Sequence, residues 1–375
     1  MLSKEKSSTR TEAAPVSKPQ ESDRVVVFQG DGEPKTLSGM LSALAAFDSE
    51  VGYEPDNYML GGTVQALEEK LAGSLGKEAA IFLPTGTMAN HFAIRALCGS
   101  RPRALVQEQC HLYNDTGDCV TRLSNINLVP LAKDRAFFTL EEVTEAVEQS
   151  ESGRVTNPIG AMMIESPVRR KAGRVQPLDE MRAIAGYCRE RGIGTHLDGA
   201  RLYMMCAATG IGPREYSDLF DTVYVSLYKY FGAPYGGLLA GSRKLIGEMY
   251  HDRRMFGGGL SSAGLAAAIV LHGLDGFRQR FASAMAKASE LFEDLNQLGT
   301  VRVSKFENGS NIFPVELDES IDHARFIERL GELRIIVRPA EGSESISTLA
   351  VNTTILRQSN EEIVAAFREA LVHAE

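Results

Sequence analysis

Two stretches decide how this chain reads: Gly194-Thr195-His196-Leu197-Asp198-Gly199-Ala200-Arg201-Leu202, and further on Ser226-Leu227-Tyr228-Lys229-Tyr230-Phe231-Gly232-Ala233-Pro234. Gly194 to Leu197 reads as a short strand that ends on a carboxylate, Asp198. Thr222 to Leu227 reads as another, ending near an amine, Lys229. A lysine set between two tyrosines, before Phe231-Gly232-Ala233-Pro234, is an odd surface residue. Partial burial there would lower its pKa and favour the neutral amine that forms a Schiff base.

Working outward, short apolar runs alternate with helical spacing. Arg24 to Phe28 begins the ordered chain, residues 37–47 read as a short helix, and Gly52 to Gly62 is a loop by composition. Val64, Leu67, Leu71 and Leu75 fall at helical intervals, and Gly76 ends that helix. Ala79 to Leu83, Ala104 to Val106, Ile126 to Pro130 and Ala161 to Ile164 read as strands, the last ending on Glu165. Helices are expected from Met88 to about Leu97 and at about 140–149 and 178–191. This alternation implies an α/β fold with a mainly parallel sheet and helices on both faces. After Gly257-Gly258-Gly259 a long helical region, about 262–298, leads into a smaller α+β portion with strands at Val301–Val303, Asn311–Phe313 and Leu333–Val337. The expected division is a polar tail over 1–23, a large domain with its N-terminal arm over 24–270, and a small C-terminal domain over 271–375.

Composition narrows the function. The chain has 375 residues, 24% charged and 43% hydrophobic, with a net charge of −9. That acidic balance argues against nucleic acid as a partner. The five cysteines form no CxxC pair and no His/Cys spacing suited to zinc, so no metal is expected, and none sits in a recognisable nucleophile motif. No run approaches the roughly 20 apolar residues of a membrane span. The first 23 residues lack the apolar core of a signal peptide, so they are expected to be a disordered tail and the compartment to be the cytoplasm.

In open α/β sheets ligands bind outside the carboxyl ends of the strands. The sequence places Thr85-Gly86-Thr87, His111, Glu165, Asp198 with Arg201, and Lys229 at such ends. Thr85-Gly86-Thr87 opens a helix, whose unpaired N–H groups suit a phosphate; it also reads as an ordinary N-cap. Asp198 can hold a pyridine nitrogen protonated, or merely cap the next helix. Lys229 can be a snorkelling strand-edge residue. His111 can stack on a ring or shuttle a proton, but a lone histidine is often structural.

Taken in order, Thr-Gly-Thr, His111-Leu112-Tyr113, His196 to Leu202, Tyr228 to Pro234 and Met255-Phe256-Gly257-Gly258-Gly259 resemble the threonine aldolase / aromatic amino acid β-eliminating lyase family. The resemblance runs from about Gly30 to Gly264 and more weakly beyond. It implies the pyridoxal-phosphate-dependent transferase-like fold (fold type I), with a mainly parallel seven-stranded sheet and a smaller α+β domain. It implies pyridoxal 5'-phosphate carried by Lys229, with Asp198 at the pyridine nitrogen, Gly86 and Thr87 at the phosphate and His111 stacked on the ring. Glu165 and Thr85 complete the cofactor side, and Arg201 helps bind the substrate carboxylate. Tyr58 matches a tyrosine that enters the partner subunit's site, so a homodimer or homotetramer is implied.

The implied activity is a carbon–carbon lyase that cleaves a small β-hydroxy-α-amino acid to glycine and an aldehyde. Departures keep other readings open. Met59-Leu60-Gly61-Gly62 stands where the family has Gly-Glu-Asp-Pro, and Glu165-Ser166-Pro167-Val168 where it has Glu-Asn-Thr-His. Ser261-Ser262 replaces an Arg-Gln, no second histidine lies between Ser152 and Ile164, and no arginine stands at Val351-Asn352, where Arg338 or Arg357 would have to compensate. The cofactor half of the site looks retained and the substrate half rebuilt. Racemisation or β-elimination on the same cofactor, or a non-catalytic relic of the fold, are the other readings.

Overall fold

The computed structural model describes residues 24–339 and 345–375; the expected tail over 1–23 lies outside the described residues. Its strands, in chain order, are β1 Val26–Val27, β2 Ala79–Leu83, β3 Arg103–Gln107, β4 Asn127–Leu131, β5 Ile159–Glu165 and β6 Gly194–Asp198. They continue with β7 Thr222–Ser226, β8 Gly237–Gly241, β9 Val301–Val303, β10 Ile312–Leu317, β11 Ile335–Ile336 and β12 Thr348–Ala350.

The main sheet has seven strands in the order β2-β8-β7-β6-β5-β3-β4. Only β8 runs against its neighbours. Six strand ends therefore open on one edge. The central strands β5, β6 and β7 are buried along their whole length apart from the first residue of β6, as a sheet covered on both faces requires. Met162, Ile164, Leu197, Val223 and Val225 on one face join Leu67, Leu71, Phe138, Ile184 and Phe231 in the larger core.

The helix expected from Met88 begins two residues earlier, at Gly86. Thr85 caps it by accepting a hydrogen bond from the Met88 N–H at 3.1 Å. Gly86 is the only residue type that fits there, because a Cβ would stand 2.2 Å from the Tyr224 hydroxyl. The long helical region expected over 262–298 is two helices, Gly264–Leu274 and Phe277–Asn296, broken at Gly276, whose φ of 60° lies in the left-handed region.

Beyond that break a second core forms around Leu291, Phe313, Phe326 and Phe367, under the antiparallel sheet β12-β10-β9. The Leu333–Val337 stretch forms a strand only at Ile335–Ile336, which pairs in parallel with β1. Val26 and Phe28 consequently belong to this second core, and the two cores part between Phe281 and Ala284 within one helix. Among the described residues no helix is long and apolar enough to cross a membrane.

Candidate active site

A cavity of about 320 Å³ opens at the carboxyl edge of the sheet. Its wall holds Thr85, Gly86, Thr87, His111, Glu165, Asp198, Arg201 and Lys229, together with Arg169, Tyr224, Tyr228 and Tyr235. Eight of the nine residues expected at the site thus share one pocket. The ninth, Tyr58, does not line it: its ring is 48% exposed and lies under the Arg254 guanidinium at 4.6 Å.

The floor is made by adjacent ends of β5 and β6, where Glu165 pairs with Asp198 in register. Asp198 is 2% exposed. Its Oδ1 accepts the Ala200 N–H at 3.1 Å, and its Oδ2 accepts the Asn90 amide N–H at 2.5 Å. Asn90 in turn faces His196 through Oδ1, 2.9 Å from Nε2, and the other ring nitrogen lies 2.9 Å from the Thr222 hydroxyl. All three of Asn90, His196 and Thr222 are fully buried.

The protons in this relay are fixed by the carboxylate. Asn90 must present N–H to Asp198, so its oxygen faces His196, which then donates from Nε2 and accepts from Thr222 at Nδ1. Burial pushes His196 down to about 4, so the ring is neutral as that pattern needs. Neither Asn90 nor the role of His196 was visible in the motifs.

Glu165 is buried beside Asp198. Its Oε2 accepts the His111 N–H at 2.5 Å and its Oε1 the Arg169 N–H at 2.9 Å. Burial, and then the nearby Asp198 charge, push its carboxyl upward. Glu165 thereby pins the two segments that carry His111 and Arg169 over the cavity. His111 opens the short helix His111–Asn114, and burial lowers its pKa, leaving a neutral ring.

Lys229 follows the end of β7. Burial, and next the Arg201 charge, lower its pKa to about 8. Arg201 itself is committed: Nε and Nη2 bond to the two Asp31 oxygens at 2.5 and 2.9 Å, a bidentate fork. Arg338 is exposed, and Arg357 pairs with Glu33 and the Val25 carbonyl. Neither lines the cavity.

The wall also fits a phosphate ester carried on a planar base. The Gly86 and Thr87 N–H groups, at the start of a 13-residue helix, have no partner among the described residues. They are orphan donors, reinforced by the helix dipole, in the pocket wall. Among the described residues the Asp198 carboxylate accepts two hydrogen bonds and keeps lone pairs for a third donor.

The fold and this wall define a protein of the type I pyridoxal-phosphate fold. The family model for β-eliminating lyases matches residues 36–317. The chain belongs to that family, on its threonine aldolase branch. It is 33% identical to the low-specificity L-threonine aldolase of Candida albicans over 221 residues, 58% of either chain. It is 28% identical to the probable low-specificity L-threonine aldolase 2 of Arabidopsis thaliana over 303 residues, 79% of this chain and 83% of that one. A crystal structure of a putative aromatic amino acid β-eliminating lyase/threonine aldolase from Exiguobacterium superposes with a TM-score of 0.77 at 26% identity, over 93% of this chain and 98% of that one.

Proposed function

We propose that the chain is a pyridoxal-phosphate-dependent aldehyde-lyase that splits the Cα–Cβ bond of a β-hydroxy-α-amino acid, giving glycine and an aldehyde. One observation carries the reading: a lysine of lowered proton affinity shares a single cavity with a buried, hydrogen-bonded carboxylate and the open N-terminus of a helix.

Gly86 and Thr87, with the Thr85 turn, would hold the phosphate, Asp198 the pyridine nitrogen, and Lys229 the carbonyl carbon. When bound, pyridoxal phosphate supplies an electron sink for the pair left on Cα. The Asn90–His196–Thr222 relay keeps Asp198 in one orientation. Neutral His111 covers the ring, and we assign to it uptake of the β-hydroxyl proton as the new carbonyl forms. Cα takes a proton in exchange, which Lys229, poised near neutrality, is placed to deliver. Arg201, steadied by Asp31, offers its remaining N–H groups to the substrate carboxylate.

The same reading divides the chain into a large cofactor-binding part and a smaller C-terminal part; the two apolar cores support two parts, with the change between Phe281 and Ala284 rather than near residue 270, and with Val26 and Phe28 on the smaller side. It places the protein in the cytoplasm as a homodimer or homotetramer, with Tyr58 reaching the partner's site. Exposed Leu37, Leu41, Leu60 and Leu265 around the packed helices Leu37–Glu50 and Gly264–Leu274 support a covered face there. Sedimentation at micromolar concentration checks it; a monomer would contradict it.

Aldehyde release from L-threonine, L-allo-threonine and phenylserine tests the reaction. No aldehyde from any of them would count against it. The commitment of Arg201 to Asp31 favours a second reading, racemisation or β-elimination, which α-proton exchange in deuterated water without aldehyde release would support.

A further inference from the structure

Arg169 is the one residue of the wall whose charge the cofactor reading does not use. It follows β5 by four residues, and its backbone N–H is tied to Glu165 at 2.9 Å, so the guanidinium is carried on a fixed turn. Its Nη2 bonds to Asp115 Oδ2 at 2.5 Å, and Arg170 takes Oδ1 of the same carboxylate at 2.6 Å. Two guanidinium groups thus bond to the one Asp115 carboxylate. The Arg169 side chain is 45% exposed, and its Nε and Nη1 bond to nothing among the described residues.

The other charges of the wall are spoken for. Arg201 faces Asp31, Asp198 would be taken by the ring nitrogen in the cofactor reading, and Glu165 is spent on two backbone N–H groups. Arg169 lines the same cavity as His111, Tyr228 and Lys229. Arg170, the next residue, lines a second cleft of about 630 Å³ together with Arg135, Lys171, Arg174 and one acid, Asp134, Arg135 being paired with Glu142. A rim of this sign concentrates anions at the mouth.

We propose that Arg169 reads the far end of the substrate, and that the preferred substrate is a β-hydroxy-α-amino dicarboxylic acid whose side-chain carboxylate it binds. This rests on the aldolase reading for the reaction but not for the binding. From β-hydroxyaspartate, breaking Cα–Cβ would give glycine and glyoxylate, the hydroxyl proton leaving to the base and one proton returning to Cα.

The test uses L-aspartate and L-asparagine, which have nearly the same shape, differ in charge and lack the β-hydroxyl. Binding to the holoenzyme is followed by calorimetry. The wild type is expected to favour aspartate by roughly tenfold, the low end for a charge-assisted bond at a half-exposed site. Arg169→Met should abolish that preference while leaving asparagine within about twofold. Asp115→Asn, which removes the competing carboxylate, should strengthen it. A wild type without preference, or a preference that survives Arg169→Met, overturns the proposal. An equal loss for both amino acids also overturns it, since that would put Arg169 on the α-carboxylate. A retained aspartate preference with no glyoxylate from β-hydroxyaspartate supports the proposal and rejects only the aldolase reading.

Discussion

Asp198 and Arg169 line one cavity, yet the two carry their charges on opposite terms. Asp198 is 2% exposed, and the Asn90 amide that bonds to it is oriented by two further buried residues, His196 and Thr222. Arg169 is half exposed, shares its carboxylate with a neighbour and keeps donors in hand. A buried carboxylate is tolerable only when it is well hydrogen-bonded, so the floor can hold one geometry and little else. A rim side chain in water costs little to change. Chemistry common to a family belongs on the floor; selection among substrates belongs on the rim.

The largest way to sharpen that contrast is Asp198→Asn, which keeps shape and removes charge. Activity should fall on the order of a thousandfold, as when a preorganised charge is taken from a reacting centre. Steady-state kinetics on the best substrate checks it, and a loss of less than tenfold would break the distinction.

Asn90→Leu comes next. It strands Asp198 Oδ2 and His196 Nε2 without partners, so urea unfolding should show a loss of about 1–3 kcal/mol. Activity should drop roughly 10–100-fold, as when a residue behind a catalytic group is lost.

Lys229 supplies a pH test. Its folded pKa is lowered to about 8, and only the neutral amine can bond to the cofactor carbonyl. Reconstitution of apoenzyme should therefore level off above about 8 and slow as pH falls through that value, because the ammonium then accumulates. Arg201→Met removes a charge that disfavours the ammonium and releases Asp31, which favours it, so the midpoint should move upward. A midpoint that stays or falls would contradict the assignment.

The smallest effect concerns acid stability. Burial holds His196 and His91 near 4, below the ordinary 6.5, so the unfolded chain binds more protons between those values. Stability should fall as pH drops from 6.5 toward 4. His196→Gln should flatten part of that slope, whereas Arg169→Met, a rim change, should leave it as it was.

The strand-end residues were legible because each sits next to a local break: Pro84 before Thr85, Gly199 after Asp198, Gly232 after Lys229. Short-range signals of that kind also gave the parallel sheet. Asn90 was not legible, since nothing nearby marks it. The only trace is its spacing of four from Gly86, which puts it one turn along the same helix face as the anion-binding turn. The Asp31–Arg201 fork spans 170 residues and leaves no local trace. Arg169 was hidden differently: it stands beside Arg170 and Lys171 in a run of cations that reads as an ordinary solvated turn. The break at Gly276 leaves little mark in the sequence, because apolar spacing continues on both sides of it.

Borohydride reduction of the protein loaded with pyridoxal phosphate, followed by peptide mapping, tests the central claim most directly. The account predicts one phosphopyridoxyl group per chain, on Lys229. A label on another lysine, or none, would contradict it.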